Sequence, residues 1–148
     1  MKIEFLIMAD AAQVVGGKLY MLGGGWTAHR AGNFPSPAQF AICISILVPS
    51  NETGIKYPLN ITIADEAGVP IALPLNGQFE VGRPPDMPTG TMHRGLFAMN
   101  MGMPIPRPGK YVVSAAVGSS KAEVVFDAVF VGTRTEFPSV SEPDEKGN

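Results

Sequence analysis

Ile3-Glu4-Phe5-Leu6-Ile7-Met8-Ala9-Asp10-Ala11-Ala12-Gln13-Val14-Val15, then Gly16-Gly17, then Lys18-Leu19-Tyr20-Met21-Leu22-Gly23-Gly24-Gly25-Trp26, is the stretch that decides the fold class. Two apolar runs flank a pair of glycines. Glycine takes positive φ without a Cβ clash, and two such residues between apolar runs predict antiparallel strands joined by a tight turn. Simple alternation puts Ile3, Phe5, Ile7 and Ala9 on one face of the first strand and Glu4, Leu6, Met8 and Asp10 on the other. In the second strand Leu19 and Met21 oppose Tyr20 and Leu22.

The same period of two continues outward from this hairpin. Phe40, Ile42, Ile44, Ile46 and Val48 make an unbroken apolar face, with the smaller Ala41, Cys43, Ser45 and Leu47 opposite. Residues 27–39, with Gly32, Pro35 and Pro37, read as a connection. Leu59, Ile61 and Ile63 alternate with Asn60, Thr62 and Ala64, and Asp65-Glu66-Ala67-Gly68 turns into a short run from Val69 to Leu73. Gly77 to Val81 reads as a further short strand. Prolines 84, 85 and 88 make residues 82–90 a long loop, because proline removes the donors a helix or central strand needs. Thr91 to Met103 is strand-like, and Lys110–Val117 and Lys121–Val131 form a closing hairpin around Gly118-Ser119-Ser120.

Composition agrees with a single all-β domain. Of the 148 residues, 17 are glycine and 14 proline, which leaves little room for long helices. Charged residues make up only 16%, below the ~25% usual for soluble domains. That deficit hints at surface covered by another subunit. A net charge of −2 without a basic cluster gives no reason to expect nucleic acid as partner. Glu4 and Asp10 interrupt the first apolar run, so neither a signal peptide nor a membrane span is expected. The single cysteine, Cys43, allows no internal disulfide, and a reducing cytoplasm is the simplest compartment. The domain is expected over residues 1–133, with a polar, disordered tail at 134–148.

Seven to nine short strands separated by turn signals predict an antiparallel β-sandwich. Pro108-Gly109-Lys110-Tyr111, a strand, a short loop and a last strand resemble the end of immunoglobulin-like domains, in which a tyrosine opening a late strand bonds back to an upstream loop. That resemblance assigns the tyrosine role to Tyr111. The paired cysteines of antibody domains are absent. The opening segment, with Ala9-Asp10-Ala11-Ala12 and Gly17-Lys18-Leu19-Tyr20-Met21-Leu22-Gly23, resembles a family of uncharacterised bacterial and phage-associated proteins. The resemblance implies a sandwich fold and carries no activity, and no functional residue transfers with it.

Candidate chemistry is sparse. Gly16-Gly17 and Gly23-Gly24-Gly25 lack the spacing and the Lys-Ser/Thr ending of a phosphate loop, so they read as turn geometry. Two distant histidines, His29 and His93, and one cysteine fall short of a zinc site, and no nucleophile elbow occurs. No catalytic residue, metal or cofactor is assigned. Asp10 reads as an outward carboxylate at a strand end or bulge, or else as a buried acid paired with Lys18 or Arg30. Trp26 reads as a core plug or as an exposed anchor. Met87, Met92, Met99, Met101 and Met103 read either as an adaptable contact surface or as core filler.

The favoured function is a non-enzymatic structural or protein-interaction module that associates with itself or another protein. Trp26, His93, Arg94, Met99 and Met101 are its candidate contact residues, with Asp10, Gly16, Gly17 and Tyr111 as structural ones. The alternative is a small-molecule or carbohydrate-binding domain, in which loop 82–90 forms a cleft with Trp26, His93 and Arg94. An enzyme would need His29 or His93 within hydrogen-bond reach of a carboxylate or of Cys43.

Overall fold

Alternation of large and small side chains makes residues 36–49 the strand about which the chain is organised. In the computed structural model, which describes residues 1–132, this strand is the centre of a three-stranded sheet. The described strands are β1 (Lys2–Ala9), β2 (Ala11–Val15), β3 (Lys18–Leu22), β4 (Ala28–Ala31), β5 (Ser36–Pro49), β6 (Tyr57–Asp65), β7 (Leu75–Phe79), β8 (Met92–Ile105), β9 (Gly109–Val117) and β10 (Ser120–Phe130). They form a sheet β1-β5-β8, a sheet β4-β10-β9-β6-β7, and the separate hairpin β2-β3. The protein is all-β. The expected tail at 134–148 lies outside the described residues.

One apolar core joins the two larger sheets. Phe40, Ile42, Ile44, Ile46 and Val48 of β5 meet Ile61 and Ile63 of β6, Tyr111, Val113 and Val117 of β9, and Phe126 of β10. At ~1.5–3 kcal/mol for each large apolar side chain fully withdrawn from water, this layer is the main stabilising element. Tyr111 stacks on Phe126 with ring centroids 5.4 Å apart, and its hydroxyl donates to the Arg107 carbonyl at 2.7 Å. Trp26 wedges edge-on against Phe40 and Phe126 at 6.2 and 5.7 Å. It is a half-buried core plug.

Four features depart from the sequence expectations. First, residues 3–15 are not one strand. β1 pairs with β5, the chain turns at Asp10, and β2 pairs with β3. A bulge between Ile3 and Phe5 also shifts the register, so Ile3 joins Leu6 and Met8 in the core while Phe5 and Ile7 face outward. Second, the 27–39 connection contains β4 and the start of β5. Pro37 is tolerated there because β1 reaches only Ala41, which leaves that part of β5 paired on one side. Third, β4 runs parallel to β10, so the fold is not wholly antiparallel, and the described residues hold ten strands against the seven to nine expected. Fourth, the run Val69–Leu73 makes only an isolated bridge from Pro70 to Ala64, and the strand expected at 77–81 lies at Leu75–Phe79.

Candidate functional site

The two faces of β5 have different occupants. Its inward residues fill the core, whereas Ala41 and Cys43 join Ala9 and Ala12 in a second, small-residue cluster on the outer face of the sheet. Ala9, Ala41 and Cys43, with Ala98 at their margin, make a flat seat on which the β2-β3 hairpin lies through Ala12 and Leu19. Burial pushes the Cys43 thiol above its ordinary pKa, as expected for a cysteine that packs as a small hydrophobe.

Three devices hold the hairpin in place. Gly16 and Gly17 have φ of 57° and 71°, the positive pair that a tight two-residue turn demands. Asn100 of β8 uses both ends of its carboxamide on one residue of the hairpin. Its Oδ1 accepts from the Ala12 N–H at 3.0 Å and its Nδ2 donates to the Ala12 carbonyl at 2.7 Å. A side chain thus takes the part of a neighbouring strand's peptide group. At the hinge, the Asp10 N–H donates to the Leu22 carbonyl and the Gly25 N–H to that of Met8. The Asp10 carboxylate lies over Gly23, where any Cβ would overlap it. Asp10 is exposed, and no ion pair to Lys18 or Arg30 forms among the described residues.

The hairpin's far side faces solvent and carries Ala11, Val15, Tyr20 and Leu22 beside the polar Gln13 and Lys18. Tyr20 and Val15 are half exposed and Leu22 is 73% exposed. Ala12, Leu19, Tyr20, Met21, Leu22 and Asn100 are among the residues lining a groove of about 700 Å³ between hairpin and β8. A single exposed leucine is ordinary, but Val15, Tyr20 and Leu22 are exposed together on one hairpin.

The five residues expected to make contacts do not form one surface. Trp26 is in the core beside Phe40, and Phe40 lies opposite Met101. His93 lies opposite Val48, eight residues along the strand and so about 26 Å away at ~3.3 Å per residue. His93 is buried, and its Nε2 is 3.3 Å from Ser50 Oγ, whose own proton goes to the Thr91 carbonyl. Arg94, next in sequence, points to the opposite face of the sheet. It grips Glu4 through two hydrogen bonds of 2.8 and 2.7 Å, and Ser45 donates to the same carboxylate at 2.6 Å. Arg94 and Ser45 together hold the Glu4 carboxyl below its usual range. Met99 and Met101 are half-buried along the core edge.

Loop 82–90 borders a shallow hollow of about 360 Å³ with Ser50 and Arg83, remote from Trp26. His29 bonds the Ser36 hydroxyl at 3.0 Å. Neither histidine has a carboxylate or Cys43 as hydrogen-bond partner among the described residues. Among the described residues, no group of three or more His, Cys, Asp or Glu is arranged to hold a metal ion, and no helix is long and apolar enough to cross a membrane.

Sequence reasoning passed over Asn100, although it is the one polar side chain in the run Leu96–Met103. It also gave Asp65 no more than a place in a turn. Asp65 is in fact buried. It caps the turn by accepting from the Ala67 and Val69 N–H groups, and it accepts from Arg107 at 2.6 Å.

The fold and the site together define an all-β protein whose most exposed regular element is an apolar hairpin seated on one sheet. The chain belongs to a family of unknown function, DUF6941, whose family model matches residues 4–125. No curated protein matches the chain.

Proposed function

We propose that this protein is a non-enzymatic interaction module that associates with itself through the face formed by the β2-β3 hairpin and strand β8. The observation that carries this reading is the hairpin. Its inner side rests on a small-residue seat through Ala12 and Leu19, and its outer side offers Val15, Tyr20 and Leu22 to solvent with Lys18 as its single charge. The anchoring by Asn100 supports it as well, because a pre-ordered surface binds without the entropic cost of first folding a loop. We read the fold as an immunoglobulin-like sandwich on the strength of the two packed sheets and the Tyr111 hydroxyl bonding back to Arg107. A cytoplasmic setting suits the single buried thiol, and the opening hairpin's resemblance to bacterial and phage-associated proteins fits the same picture.

Substituting Leu22→Glu and Tyr20→Glu together tests the proposal. Light scattering after gel filtration should show the complex weakened by about tenfold or more, with circular dichroism unchanged. An undiminished complex in the double variant would remove the hairpin from the interface.

A further inference from the structure

The two larger sheets have four edge strands, and three of them are blunted. β4 has four residues and β7 five, and β1 carries a bulge at Glu4 together with Lys2. Short strands, bulges and lysines are the usual guards against unwanted pairing. β8 is different. Its 14 residues pair with β5 without a break in register, and among the described residues no strand lies on its other side. Among the described residues, its backbone has no backbone partner beyond the β5 ladder. From Gly95 to Met103 it holds no charge and no proline. Phe97, Met99 and Met101 line this edge half-buried.

We infer that β8 pairs antiparallel with β8 of a second copy, fusing two three-stranded sheets into one of six strands. This inference rests on the self-association proposed above and names its geometry. A strand paired antiparallel with itself obeys a two-fold axis, the commonest symmetry of soluble oligomers. With the axis on Met99, Phe97 of one copy lies beside Met101 of the other and Met99 beside its counterpart; with the axis on Ala98, Phe97 lies beside Met99 and Met101 beside Gly95. Arg94, the single charged side chain of β8, then falls against Gly102 or Pro104 of the other copy and meets no like charge. Its own charge is already held by Glu4. A second copy therefore satisfies the free ladder and covers the half-exposed methionines at once. The hairpin groove, pinned at Asn100 in the middle of the same strand, extends the contact.

Amide hydrogen exchange on the unmodified protein, followed from dilute to concentrated solution, tests the pairing. Alternate amides between Gly95 and Met103 should gain about tenfold or more in protection as the dimer forms. Met99→Lys, which sets a charge in the joined ladder, should weaken the dimer by a similar factor in sedimentation, with the monomer still folded by circular dichroism. A dimer without concentration-dependent protection in that segment would refute edge pairing and leave self-association standing. A protein that stays monomeric when concentrated would overturn both. Should Met99→Lys fail to fold, the exchange result on the unmodified chain decides alone.

Discussion

The two faces of β5 are built from neighbouring residues and serve different ends. Inward, Phe40, Ile42, Ile44 and Ile46 interdigitate with the opposite sheet. Outward, Ala41 and Cys43 are too short to interdigitate with anything, and they make a floor for a hairpin. One face stabilises the fold through volume; the other determines where the hairpin is presented. The difference teaches that side-chain size, more than polarity, divides structural from presenting surface here, because both faces are buried.

Substitutions on the two faces should separate these roles. Phe40→Ala should have the largest effect, a loss of about 3–5 kcal/mol in urea unfolding from lost transfer energy and the cavity left behind. Similar stability in the variant would mean that the sheets are not packed through this residue. Ala41→Leu, one position along, should cost less, about 1–3 kcal/mol by overpacking. The loss should be uneven, with hydrogen exchange accelerating in residues 11–22 before the rest of the molecule opens. Uniform acceleration would show that seat and core are one cooperative layer.

Asn100→Ala strikes the same seat from β8 and strands the Ala12 N–H and carbonyl, worth about 1–2 kcal/mol. Its signature is faster exchange at Ala12 with the β5-β8 ladder intact. A hairpin as protected as before would remove Asn100 from its anchoring role. The smallest effect belongs to pH. The Glu4 carboxyl is depressed in the folded state by Arg94 and Ser45, so its contribution is present above the unfolded carboxyl pKa and fades as pH falls through the folded value. Glu4→Gln should therefore lower the melting temperature slightly at neutral pH and converge with wild type in acid. Parallel curves across that range would show the pair to be without consequence, the common outcome for exposed ion pairs.

Much of the fold was legible because the alternation is strong. Residues 40–48 announce both faces of β5, and Gly16-Gly17 announces the hairpin turn. Three things were hidden for physical reasons. A bulge is one residue long and reverses every assignment before it, so the face of Ile3 could not follow from periodicity. The strand break at Asp10 depends on Gly23, thirteen positions away, leaving room for the carboxylate. A four-residue strand paired in parallel, such as β4, has no local pattern of its own. The site was less legible than the fold. Trp26 and the methionines attracted notice as large side chains, yet packing placed them in or beside the core. The exposed apolar residues lie instead on the hairpin first taken as a fold signal, and its anchor is a single asparagine among methionines.

Sedimentation equilibrium of the unmodified protein across concentration is the most direct test of the central claim. A reversible approach to twice the 15.7 kDa chain mass is the expected result. A single species of one chain mass persisting at high micromolar concentration would contradict it.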